Sequence, residues 1–169
     1  MKKYYLSLII KICAIAIMVA VDLITKSIVE NYFVGGGNDI ILIEGVLGLT
    51  YALNTGAAFG FLGNSTVLLI IFSIIFLCVF TFIDVYYKSL NGWYVAGFSL
   101  IVGGALGNFF DRIMLKHVRD FVEIKFINFP IFNLADVFLT VGVICYVVYL
   151  VFYEFKKLEN NKKDITKEG

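Results

Sequence analysis

Two carboxylates stand where carboxylates are costly. Asp136 lies near the entrance of the apolar run FPIFNLADVFLTVGVICYVVYLVFY, residues 129–153. Asp120 lies in HVRDFVEIKF, where Val118, Asp120, Val122, Ile124 and Phe126 alternate with Arg119, Phe121, Glu123 and Lys125 as in a short strand. That alternation puts Asp120 on the apolar, inward face, and a short connection leads from it to Asp136. Two carboxyl groups in one low-dielectric site cannot both ionise readily, so one keeps its proton at neutral pH while the other serves as a base. Such a pair can activate a water molecule against an amide. The simpler explanation for Asp136 is structural: Asn133 at a helix N-cap with a carboxylate three residues on makes a capping arrangement. Other chemistries have less support, because His117, the single histidine, has no cysteine partner on its side and no metal-ligand spacing occurs. No phosphate-binding glycine loop follows a strand, and no basic face suggests nucleic acid.

The rest of the chain must supply a scaffold for that pair, and its composition says which kind. Hydrophobic residues fill 60% of 169 positions and charged residues only 16%, with a mean hydropathy of +0.91, which excludes an ordinary soluble domain. Four stretches, about 5–27, 65–86, 93–115 and 132–153, provide the roughly 20 apolar residues a helix needs to cross a bilayer. The expectation is one membrane domain over residues 1–169, an all-α bundle of four transmembrane helices with a small β element. Segment 31–64, where DIILIE and LGLTYA meet near Gly45, is expected to form an external sheet or cradle. Residues 116–131 form an external loop and 154–169 a charged cytoplasmic tail. The first span is read as retained, since Lys11 interrupts any signal-peptide core and apolar character continues beyond AIA at 14–16. Cys13, Cys78 and Cys145 fall within spans as packing residues, with no disulfide framework or metal site implied.

Lysines set the orientation. Lys2, Lys3, Lys88 and the lysine-rich tail contrast with segment 31–64, which has no Lys or Arg, so both termini are placed in the cytoplasm. Lys116, Arg119 and Lys125 run against that rule, which points to another job for them. Tyr4, Tyr5, Tyr86, Tyr87, Trp93 and Tyr94 are expected to form the cytoplasmic aromatic belt. On this topology Asp22, Lys26, Asn54, Asn108, Asp111, Arg112, Asp120, Asn133 and Asp136 converge on the external face. Each ionisable group at membrane depth costs on the order of 2.5–3.5 kcal/mol, so such a cluster is a candidate site. Structural explanations exist for its parts: Asp22 and Lys26 can pair at i,i+4, Gly103 and Gly107 allow close helix approach, and Asn108 and Arg112 share a face.

DLITK at 22–26, NTGAAFG at 54–60, GGALGNFFDR at 103–112, VRDF at 118–121 and FNLADVFLTVG at 132–142 resemble, in order, the motif set of the lipoprotein signal peptidase (signal peptidase II) family. The resemblance implies an aspartic endopeptidase of the bacterial cytoplasmic membrane with no cofactor. It would cut a prolipoprotein signal peptide just before a cysteine that already carries a diacylglyceryl group. On that likeness Asp120 and Asp136 match the catalytic dyad, while Asn54, Gly56, Asn108, Arg112, Asn133 and Ala135 match positions lining the site. Asp22, Lys26, Gly104, Gly107 and Asp111 match supporting positions. The implied partners are diacylglyceryl-modified prolipoproteins and membrane lipid, not nucleic acid, with the chain a monomer. A proton-coupled transporter is the alternative, but its carboxylates should lie near the midplane between repeated halves, and the spans show no repeat. A purely structural subunit would explain the glycines but not two inward carboxylates on separate segments.

Overall fold

The computed structural model describes residues 2–56 and 65–168. Its elements are α1 (Lys2–Val34), β1 (Ile40–Ile43), β2 (Leu47–Asn54), α2 (Thr66–Tyr87), α3 (Gly92–Leu115), β3 (Val118–Ile124) and α4 (Leu134–Glu168). All four helices contain stretches long and apolar enough to cross a membrane. α1 runs past both ends of the expected span, and at its C-terminal end Ser27 and Glu30 bind Arg119 of the sheet rather than lipid. It stops where Gly36 adopts φ +91°, a left-handed conformation that glycine reaches without strain. α4 continues through the charged segment expected as a tail.

α3 is the central helix, packed against α1, α2 and above all α4. Its glycines make this possible. A Cβ on Gly104 would run into the Ala135 carbonyl oxygen of α4, and one on Gly107 would run into the Asp22 carboxylate of α1. A Cβ on Gly103 would lie 3.0 Å from that of Met18. At the opposite end, Tyr94, Phe98, Val102 and Tyr149 form a hydrophobic core, and Phe80 of α2 stacks on Phe98 at 5.5 Å between ring centres. Tyr94 therefore leaves the expected interfacial belt. It is only 1% exposed, whereas Tyr5, Tyr86, Tyr87 and Trp93 are exposed. One helical residue turns a side chain by about 100°, so Trp93 faces out where Tyr94 faces in.

The strands form one antiparallel sheet in the order β1-β2-β3. Gly45, at φ +68°, turns β1 into β2. Between the pairs Leu49–Val122 and Ala52–Asp120, β2 carries one more residue than β3, a bulge that re-aims the end of β2. β3 departs from the expected two-faced pattern: Val118, Arg119, Asp120 and Phe121 are all buried. One face of β3 meets the cavity described below, and the ends of α1 and α3 cover Arg119 on the other. After β3 the chain doubles back, so that Phe132 N–H donates to Val122 O and its carbonyl accepts from Phe121 and Val122. That return sets the start of α4 against Asp120.

α2 is tied to the bundle by charge. Lys11 of α1 and Asp84 of α2, 2% and 4% exposed, form an ion pair, and the Lys11 ammonium lies 5.1 Å from the centres of the Tyr94 and Phe98 rings. Breaking a buried pair strands a charge, at a cost of about 3–5 kcal/mol, whereas replacing both partners by apolar residues is often neutral. Lys11→Met and Asp84→Leu should each lower the apparent Tm sharply, and the double variant should recover most of the loss. Additive losses in a melting series at fixed detergent would show that the pair does not couple the helices.

Candidate active site

The polar residues gather where the C-terminal ends of α1 and α3 meet the start of α4. Asn133 is the N-cap of α4: its Oδ1 accepts from Asp136 N–H at 3.1 Å, and Asp136 Oδ2 accepts from Asn133 N–H at 3.1 Å. This is a reciprocal capping box. A third amide, Ala135 N–H, is met from α1 by Asp22 Oδ1 at 3.0 Å. The capping explanation for Asp136 is therefore realised, yet it uses one oxygen only. The other, Oδ1, accepts from Asn108 Nδ2 at 2.8 Å.

Asn133 also reaches the second carboxylate. Its Nδ2 donates to Asp120 Oδ1 at 2.6 Å and to Asn108 Oδ1 at 3.0 Å. Asn54 donates through Nδ2 to Asp120 Oδ2 at 2.9 Å, while its Oδ1 accepts from Gly56 N–H at 3.0 Å. The tight turn at Gly56 thus aims Asn54 across the sheet. Asp120 and Asp136 both line a cavity of about 180 Å³, with Asn54, Asn108, Arg112 and Phe132 among the other walls. Burial pushes the Asp120 carboxyl up to about 6, the charge of Asp136 adding to the rise while the Asn54 and Asn133 amides oppose it. Arg112 lines the same cavity with its buried Nε lacking an acceptor, and its Nη1 is 3.5 Å from the Asn108 carbonyl.

Behind the cavity lies a charged layer. Lys26 is completely buried and sets its ammonium 2.7 Å from Asp22 Oδ2, 2.9 Å from Asn108 Oδ1 and 3.5 Å from Asp111 Oδ2. Asp111 in turn takes the Arg119 guanidinium at 2.7 Å and 3.2 Å and the Arg119 N–H at 3.1 Å. The i,i+4 pairing of Asp22 and Lys26 is thus present, and it is one edge of a larger network. The site residues named from sequence are brought together, Gly104 and Gly107 by letting α3 approach α4 and α1. Ala57 to Gly60 of the second motif lie outside the described residues.

Sequence reading missed two members. Glu30 binds Arg119 Nη1 at 2.8 Å and accepts from the Tyr51 hydroxyl at 2.9 Å, so it locks α1 to β3 and β2. Arg119 was assigned to the outer strand face, yet it is 7% exposed. Its charge on the nominally uncharged side was the available signal. Among the described residues, no three His, Cys, Asp or Glu side chains are gathered to hold a metal ion.

The family model described as "Signal peptidase (SPase) II" matches residues 14–152. The chain is 37% identical over 145 residues to the lipoprotein signal peptidase of Lactobacillus johnsonii, covering 86% of this chain and 93% of that one. It is 47% identical over 126 residues to its counterpart from Caldicellulosiruptor bescii, covering 73% and 78%. A solved bacterial membrane enzyme at 2.3 Å resolution superposes with a TM-score of 0.74 at 31% identity, over 83% of this chain and 87% of its own.

The raised proton affinity of Asp120 makes a stability prediction. A folded-state value of about 6 exceeds the reference of about 3.9, so the folded protein binds this proton more tightly than the unfolded chain. The resulting stabilisation is complete below about pH 4 and is lost as pH rises through about 6, a swing on the order of 2–3 kcal/mol. Asp120→Asn cannot ionise, so its apparent Tm should climb relative to the parent between pH 4.5 and 7.5. A constant offset over that range would show that burial puts no strain on the ionised carboxylate.

Proposed function

The chain belongs to the signal peptidase (SPase) II family, and on that premise we propose that it is an aspartic endopeptidase that cleaves prolipoprotein signal peptides just before a diacylglyceryl-modified cysteine. The transporter alternative is not supported by this membership. One observation carries the aspartic assignment: two carboxylates from separate segments, Asp120 and Asp136, open onto one cavity and are bridged by Asn133.

The roles follow from environment. Asp120 is 2% exposed with its pKa raised, which suits the carboxyl that keeps the shared proton. Asp136, held at the first turn of α4 where negative charge is favoured, is the base. It takes a proton from water as the oxygen attacks the scissile carbonyl, while Asp120 donates a hydrogen bond to the developing oxyanion. When the C–N bond breaks, the proton on Asp136 passes to the leaving amine, and Asp120 retains its own. Arg112, which lines the cavity and has a buried Nε without an acceptor, is the residue to hold a substrate carbonyl. Asn108 and Asn133 fix the two carboxylates while chemistry proceeds.

Orientation belongs to the same proposal. With both termini in the cytoplasm, the cavity opens at the outer interface, at the depth where a membrane-held signal peptide presents its cleavage point. The β1–β2 hairpin, with Ile41 and Ile43 exposed, is an apolar cradle for the acyl chains beside it.

Incubation of the purified protein with diacylglyceryl-modified and unmodified prolipoprotein, read by mass, tests the substrate: only the modified form should be shortened. Asp120→Asn and Asp136→Asn should each reduce turnover by several orders of magnitude without preventing folding; substantial turnover by either variant removes that residue from the dyad. Activity against pH should be bell-shaped, with the alkaline limb above the ordinary carboxylate range of about 4. A profile flat from pH 5 to 9 would contradict a shared proton. For topology, single cysteines at Asn38 and Ser65 in a cysteine-free background should react with an impermeant maleimide outside cells, whereas one at Asn91 should not; the reverse pattern would invert the bundle.

A further inference from the structure

A second cavity lies at the opposite end of the bundle, and the catalytic reading makes no use of it. It is a groove of about 610 Å³ between α1 and α3, with Lys3 and Gly92 at its mouth, Ser7 a turn further in, and Ala14, Ala96 and Met18 along its length. We propose that this groove holds one anionic glycerophospholipid from the leaflet at the α1 N-terminus, with its phosphate at Lys3, an ester carbonyl at Ser7 and an acyl chain running to Met18.

Three features of the groove carry the assignment. The first is charge. α1 and α3 both begin at the mouth, neither has an acidic residue in its first turn, and both direct the positive end of the helix dipole to the place where Lys3 stands. The second is Ser7. The hydroxyls of Ser27, Ser73, Ser99 and Thr140 each donate to the carbonyl four residues back, as helix hydroxyls do when they have no other acceptor. Ser7 Oγ does not; it is buried without a partner, in a residue 7% exposed on the groove wall. It stands four residues from Lys3, about 6 Å deeper at 1.5 Å per residue, the depth of a glycerol ester below its phosphate. The third is length. Ser7 to Met18 spans about 16 Å of helix, close to the roughly 15 Å of hydrocarbon in one leaflet. A signal peptide fits this mouth poorly, since its N-terminal region is itself positively charged.

The full chain, purified in mild detergent, is exchanged into micelles containing phosphatidylglycerol or phosphatidylcholine with matched acyl chains. Retained lipid is counted by native mass spectrometry, and the apparent Tm is read in parallel. One phosphatidylglycerol per chain should survive exchange, and it should raise the Tm more than phosphatidylcholine does. Lys3→Gln should reduce the preference for phosphatidylglycerol about fivefold, the effect of one basic residue near a membrane surface. Ser7→Ala should weaken both lipids alike, because both carry the ester. Ala14→Phe should fill the groove and abolish retention; if that variant does not fold, the Lys3 and Ser7 variants decide the matter. Equal retention of the two lipids by the parent protein would overturn the proposal. So would undiminished retention by a folded Ala14→Phe, displacement by a basic signal peptide, or a second copy of the chain in place of lipid.

Discussion

The buried ammonium of Lys26 is the constraint on which the candidate site depends. A charge with no solvent exposure must have its protons met by protein acceptors, since the penalty for taking it out of water is several kcal/mol after relaxation. Lys26 meets that demand with Asp22 on its own helix and with Asn108 and Asp111 on α3. Each partner then fixes something else. Asp22 caps Ala135 at the start of α4, Asp111 grips Arg119 on β3, and Asn108 binds Asp136. Four elements are thereby held around one cation. Gly107 has to be glycine for this to work, because a methyl group there would occupy the place of the Asp22 carboxylate.

Helix capping and the candidate site draw on the same residues. Asn133 and Asp136 satisfy the first amides of α4 reciprocally, yet each has polar atoms left over, and these face Asp120 and Asn108. A side chain held at both ends in this way loses its rotamer freedom at folding rather than at substrate binding, which is the condition for preorganised catalysis. The capping of α4 by Asp136 and its place on the cavity wall are two halves of one arrangement.

How much of this was legible in sequence depends on which physical signal each part leaves. Spans are written in hydropathy, and the hairpin at Gly45 in strand residues about a turn, so both were readable. Ionisable residues at the ends of apolar spans mark themselves, which is why Asp22, Lys26, Asp111 and Asp136 could be singled out, and strand alternation added Asp120. Partners were harder to read. Arg119 looked outward by alternation because a two-residue period assumes one solvated face, and the ends of α1 and α3 cover the second face of β3. Glu30 gave no signal, since a glutamate after an apolar span looks like an ordinary solvated residue until the sheet brings Arg119 to it. Tyr94 beside Trp93 looked like part of a belt, and only the helix phase separates the two. The pairing of Lys11 with Asp84 is likewise a tertiary fact: Lys11 stood out inside its span, but nothing in sequence pointed from it to Asp84.

The separation of the two carboxylates has a consequence for the proposed mechanism. Their described hydrogen bonds come from amide N–H groups of Asn54, Asn108 and Asn133, so Asp120 and Asp136 sense each other across space. Coupling of this kind raises the proton affinity of Asp120 without fixing its proton on Asp136, and both groups line the cavity. A cavity of about 180 Å³ has room for a water molecule, whose share of the liquid is about 30 Å³, together with a peptide unit. A dyad joined by its own hydrogen bond would have to break that bond before either oxygen could meet substrate. Here Asn54, Asn108 and Asn133 order the two carboxylates, and none of the described hydrogen bonds joins one carboxyl to the other, so no such bond has to break before substrate is met.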